Sequence, residues 1–121
     1  MPKVTMIGLR SSAANFDMWP ELSEEKLEAA FKQVVLEMDE AGYEATWCLL
    51  APGDTAIEQA IKTLLAERPD VVLVGAGIRS DADHFSLFEK LVNVIHSYAP
   101  QAYICFNSNP FDSVEAVKRW V

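Results

Sequence analysis

Four short apolar runs alternate with longer segments in which apolar residues recur every three to four positions. The runs Lys3 to Leu9, Tyr43 to Leu50, Asp70 to Ala76 and Gln101 to Asn107 read as strands. Between them, Ser23 is placed to cap a helix with Leu22 and Leu27 as a hydrophobic staple. Leu27, Phe31, Val34, Val35 and Met38 form its apolar stripe as far as Gly42. Thr55 and Glu58 have capping-box spacing ahead of Ile57, Ile61, Leu64 and Leu65, and Pro69 bars that second helix from continuing. A third helix is predicted from Asp81 to Asp83 up to Pro100, turning Phe85, Phe88, Leu91, Val92 and Ile95 to the core. Asp112 with Glu115 opens a short last one through Val114, Val117 and Trp120.

Strands alternating with helices at this spacing predict βαβ units, a parallel sheet and right-handed crossovers. The first and third runs are apolar almost throughout, as central strands are. In the second, Glu44 and Thr46 alternate with Tyr43, Ala45 and Trp47, as on an edge. The predicted architecture is a three-layer αβα domain over residues 1 to 121, with a four-stranded parallel sheet of order 2-1-3-4.

Composition narrows the partners. The 121 residues are half apolar, enough for one domain with its own core, and 18 acidic against 10 basic residues give a formal charge of -8. That field disfavours nucleic acid and an anionic membrane surface. No apolar stretch reaches the ~20 residues that span a bilayer, and the first residues are too short an apolar stretch for a signal peptide, so a cytoplasmic protein is expected. Cys48 and Cys105 both lie in apolar runs and read as core residues, with the proposed order keeping their strands too far apart for a disulfide.

In an open parallel sheet, ligands sit at the carboxyl ends of the strands where the strand order reverses, here between the first and third strands. Gly8 to Ser12, Gly75 to Ser80 and Asn107 to Asn109 arrive at that edge. Two of the four arginines, Arg10 and Arg79, fall there, and a guanidinium fork suits carboxylate or phosphate. The candidate ligand-binding set is therefore Arg10, Ser11, Gly75, Gly77, Arg79 and Asn107, with a small anionic molecule as the expected ligand. Each has an ordinary structural reading as well. The arginines can pair with Asp17, Asp54, Asp81 or Asp83, the glycines can serve a tight turn, and Asn107 and Asn109 can form turns before Pro110. The loop from Arg10 to Leu22, with Phe16, Met18, Trp19 and Pro20, is long for a strand-to-helix connection. It is either a binding loop or a satellite cluster packed on the domain.

No catalytic group is assigned by spacing. Gly75-Ala76-Gly77-Ile78-Arg79-Ser80 is a weak match to a dinucleotide fingerprint, with serine in place of the third glycine and the wrong strand before it, and there is no phosphate-binding Gly-x-x-x-x-Gly-Lys loop. His84 falls near the crevice and His96 about 18 Å along the same helix. Asp81 and Asp83 beside His84 read as capping acids, and no metal is expected.

The chain resembles, over its whole length, a group of small bacterial α/β proteins that have no assigned activity. The resemblance lies in Val4-Thr5-Met6-Ile7-Gly8-Leu9, Val74-Gly75-Ala76-Gly77-Ile78-Arg79, Leu87-Phe88-Glu89, His96, Ala99-Pro100, Phe106-Asn107 and Arg119-Trp120. At fold level it is similar to flavodoxins and response-regulator receivers, and the resemblance implies a flavodoxin-like sheet. It implies neither activity. Leu9-Arg10 and Gly75-Ala76 stand where receivers carry their acidic pair and phospho-accepting Asp, and Ser11-Ser12 is only a faint echo of a flavodoxin phosphate loop. Two functions are compatible with these features: a domain binding a small anionic metabolite at the carboxyl edge, or a non-catalytic, receiver-like interaction or dimerisation module. A homodimer is expected on an edge strand, marked by Trp47 or Tyr103, or on the closing helix with Trp120.

Overall fold

The computed structural model describes residues 1–121 and places the strands β1 (Lys3–Leu9), β2 (Glu44–Leu50), β3 (Val71–Val74) and β4 (Tyr103–Phe106) in one parallel sheet of order 2-1-3-4. The helices are α1 (Glu24–Glu40), α2 (Ala56–Glu67), α3 (Ala76–Arg79), α4 (Phe85–Tyr98) and α5 (Ser113–Lys118). None is long and apolar enough to cross a membrane.

The two-residue period of the central strands builds two cores, one on each sheet face. Ile7, Leu9, Val72 and Val74 meet α2 and α4 through Ala60, Leu64, Leu91 and Ile95. Val4, Met6, Val71 and Leu73 meet α1 and α5 through Val34, Met38, Ala116 and Val117. These side chains are essentially without solvent contact. Each fully buried aliphatic contributes about 1.5–3 kcal/mol, so the two faces carry most of the fold's stability. The three-layer arrangement follows, and the closing helix lies beside α1 as cover for the second face.

Several local expectations are corrected. Ser23 caps α1 as expected, its hydroxyl accepting from the Lys26 N–H at 3.2 Å. Thr55 occupies the N-cap position of α2 but has helical backbone angles and makes no side-chain cap bond. The buried stripe of α2 is Ala56, Ala60 and Leu64, and Leu65 faces out. Phe85, expected in the core, is 63% exposed as the first residue of α4, whose buried residues are Leu91 and Ile95 with Leu87 and Phe88 partly buried beside them. The last capping box lies one turn earlier than Asp112 and Glu115. Asn109 and Asp112 cap the 3-10 turn Pro110–Asp112 that leads into α5. Partial burial works to raise the Asp112 carboxyl, but hydrogen bonds from the Ser108 hydroxyl and the Asn109 and Ser108 N–H groups outweigh it and hold it below its ordinary value.

Trp120, expected on the apolar stripe of the last helix, lies just past α5 and is half exposed, stacked on Tyr103 at 5.5 Å between ring centroids. The neighbouring Arg119 donates from Nη2 to the Phe106 carbonyl at 2.8 Å, so this turn closes over the β4 edge.

Cys48 and Cys105 are free and buried, and lie on opposite sheet faces as well as on opposite edge strands. Burial pushes the Cys105 thiol up to about 11, partly opposed by the Arg119 charge. Burial also raises Cys48, partly opposed by its hydrogen bond with the Thr63 hydroxyl. An unfolded Cys105 loses its proton near 9.0, whereas the folded one holds it to about 11. We predict that this contribution to stability is complete below the unfolded value and is lost as pH rises through the folded one. Urea melts across that alkaline window should show a decline that is smaller in Cys105→Ala. An equal decline in both proteins would remove Cys105 as the cause.

Candidate functional site

The crevice forms where β1 and β3 diverge. The Gly75 N–H donates to the Ile7 carbonyl at 2.9 Å as the last rung between them, and a Cβ on Gly75 would stand 3.4 Å from that same oxygen. The chain then turns directly into α3, one turn of helix that ends β3 at Val74 instead of Ala76. On the other side, β1 continues through Arg10, whose N–H donates to the Leu50 carbonyl, into a short 3-10 turn at Ser11–Ala13.

Asn107 locks this edge. Its side-chain oxygen accepts from the Ala76 N–H at 2.8 Å, and its amide donates to the Ser113 hydroxyl at 3.1 Å, which in turn donates to the Pro110 carbonyl. One buried amide thus ties the start of α3 to the start of α5. Arg79 reinforces the same joint by donating from Nη2 to the Asn107 carbonyl at 3.0 Å, while its Nε is buried without a partner.

A cavity of about 60 Å³ lies against this edge, beneath the segment that links β1 to α1. Gly8 and Leu9 of β1 and Gly75, Ala76 and Gly77 at α3 form its floor. The linking segment roofs it with Phe16, Met18, Trp19 and Leu22, and Leu27, Phe31 and Trp47 close the side towards α1 and β2. The long loop is therefore a wall of the cavity. Trp47 donates from Nε1 to the Phe31 carbonyl at 2.9 Å, which fixes its indole with the ring 3.4 Å from where a Cβ on Gly8 would sit.

The polar end of the cavity is Asn15, Asp81 and Asn107. Asp81 is 6% exposed. Its Oδ1 accepts from the Asp83 N–H at 2.9 Å, and its Oδ2 accepts from the Asn15 amide at 3.3 Å, with His84 Nε2 at 3.9 Å, beyond hydrogen-bond reach. No cluster of three or more His, Cys, Asp or Glu side chains is arranged to hold a metal ion.

Of the residues expected from sequence, Gly75, Gly77 and Asn107 line the cavity. Arg10, Ser11 and Arg79 reach the same edge without being among its walls: Arg10 is exposed, Ser11 is buried in its turn, and Arg79 faces Asn107. Neither edge arginine pairs with an acid. His96 is exposed in the last turn of α4. Asp81, Asn15, Phe31 and Trp47 were not in the expected set. Asp81 has the features of a helix cap and serves as one, and Phe31 and Trp47 belong to periodic core stripes. The available signal was position, since Asp81 follows the third strand's glycine turn at the same sheet edge. Comparison with family models, curated proteins and solved structures gives no match.

The geometry separates two neighbouring positions by what each supports. Asn107→Ala leaves the buried Ala76 N–H without its acceptor and should cost about 1–3 kcal/mol in urea unfolding. At Gly77 a Cβ would meet nothing within 4 Å, so Gly77→Ala should instead gain up to about 1 kcal/mol from helix preference. A stable Asn107→Ala or a destabilised Gly77→Ala would contradict these assignments.

Proposed function

We propose that the protein is a small-molecule-binding domain whose ligand enters the crevice at the carboxyl edge of the sheet and is held beneath the segment from Arg10 to Leu22. The cavity carries this reading: it lies at the point of strand reversal, is walled chiefly by aromatic and aliphatic side chains, and ends in a few fixed polar groups. Gly77 adds support. It lines the cavity, lies inside a helix where alanine is preferred, and nothing in the chain crowds it, so its bare backbone suits the close approach of a ligand. An anion, the expectation from Arg10 and Arg79, would meet these arginines only outside the cavity: neither pairs with an acid, but neither is among its walls.

A second reading, a homodimeric interaction module, is favoured by one observation at the opposite edge of the sheet. Tyr103 and Trp120 stack there with about half their surface in solvent. Such a dimer would be held through these rings and would be symmetric.

A thermal-shift panel of small carboxylates, phosphates, amines and neutral aromatics tests the first reading against Gly77→Leu, which adds bulk at the exposed mouth of the crevice, where a Cβ meets no other atom of the chain. Binding is expected to raise the Tm of the parent chain and to disappear in the variant. If no compound acts on the parent while light scattering shows a dimer that Trp120→Ser dissociates, the second reading stands in its place.

A further inference from the structure

We infer that the ligand of this cavity carries an alkylated ammonium group, an inference that rests on the small-molecule reading above and specifies its ligand. Four aromatic residues, Phe16, Trp19, Phe31 and Trp47, line one small space. Aromatic faces are electron-rich, and a cation among several of them is attracted most strongly where water is excluded. The only charged side chain lining the cavity is the buried carboxyl of Asp81. Its oxygens accept from the Asp83 N–H and the Asn15 amide, His84 lies 3.9 Å away, and no lysine or arginine pairs with it.

Charge and size agree with this chemistry. The formal charge of -8 draws cations towards the molecule and repels anions at long range. A cavity of about 60 Å³ limits the buried part of the ligand to a compact head, such as trimethylammonium with its four heavy atoms. Such a head makes no N–H hydrogen bond, which suits a site with more ring surface than acceptors. Met18 and Gly77 are exposed as well as lining, and they mark the mouth through which the rest of the ligand would leave.

The test titrates the full chain with choline chloride and, at matched ionic strength, with the neutral alcohol in which a tert-butyl group replaces choline's trimethylammonium. Sodium acetate and sodium phosphate form the anionic arm. Amide shifts of Ala76 and Gly77 report occupancy. Tryptophan emission in a Trp120→Phe background confines the optical signal to Trp19 and Trp47. Choline is expected to saturate both signals with a midpoint on the order of tenfold below that of the neutral alcohol. Asp81→Asn, which can still accept from the Asp83 N–H, should raise the choline midpoint by a similar factor and leave the alcohol's unchanged. Trp19→Leu, which keeps apolar bulk, should also weaken choline selectively. Equal midpoints for choline and the alcohol, or saturation by acetate or phosphate without choline, would overturn the cation and leave the small-molecule site standing. Silence from all four probes would overturn the cation, and the wider panel then decides the site itself.

Discussion

The parallel pairing of β1 with β3 is the constraint from which the rest of the structure follows. Both strands are buried on both faces, so helices must cover each side of the sheet. Parallel strands can be joined only by crossovers, and right-handed crossovers leaving this pair in opposite directions place α1 on one face and α2 with α4 on the other. The same reversal leaves a gap beyond the last shared hydrogen bond, from Gly75 to Ile7. The cavity is that gap, walled by whatever the connecting segments bring to it.

What the connections bring is unequal. The link from β3 to α4 is a glycine turn and a single helical turn, held down by one amide side chain, Asn107, that reaches over from β4. The link from β1 to α1 is long and aromatic and folds back as a roof. One side of the crevice is therefore made of backbone and small polar groups, the other of rings. Within a chain of strongly negative charge, a single buried carboxyl at the polar end makes the interior of the crevice electrostatically unlike its arginine-bearing rim.

The sheet was legible because it depends on the simplest pattern, alternation against continuous burial. Four apolar runs and the polar alternation of Glu44 and Thr46 were enough to order the strands. The α1 cap was legible for a similar reason, since Ser23 and Lys26 interact within one turn. Features set by tertiary context were not. Ala76 reads as the last residue of a strand, yet Asn107 accepts from its N–H and the chain already turns into helix there. Phe85 has helical spacing with Phe88 but starts its helix beyond the edge of the core. At the site, the sequence located the sheet edge and singled out the aromatic loop beside it, and three of the six candidate binding residues line the cavity. It could not tell that Arg79 would be directed to a carbonyl, or that a capping aspartate would also face a cavity, because both outcomes depend on which way a side chain turns after the backbone is fixed.

The far edge of the sheet has a consequence of its own. An open parallel sheet is a template for further strands, and many proteins blunt such edges to stay apart from their neighbours. Here β4 is only four residues long, one of its carbonyls is occupied by Arg119, and Tyr103 lies under the indole of Trp120. The last few residues of the chain thus act as a stopper: aromatic surface remains for side chains to meet, but little backbone is offered for a neighbouring chain to extend into a fibre.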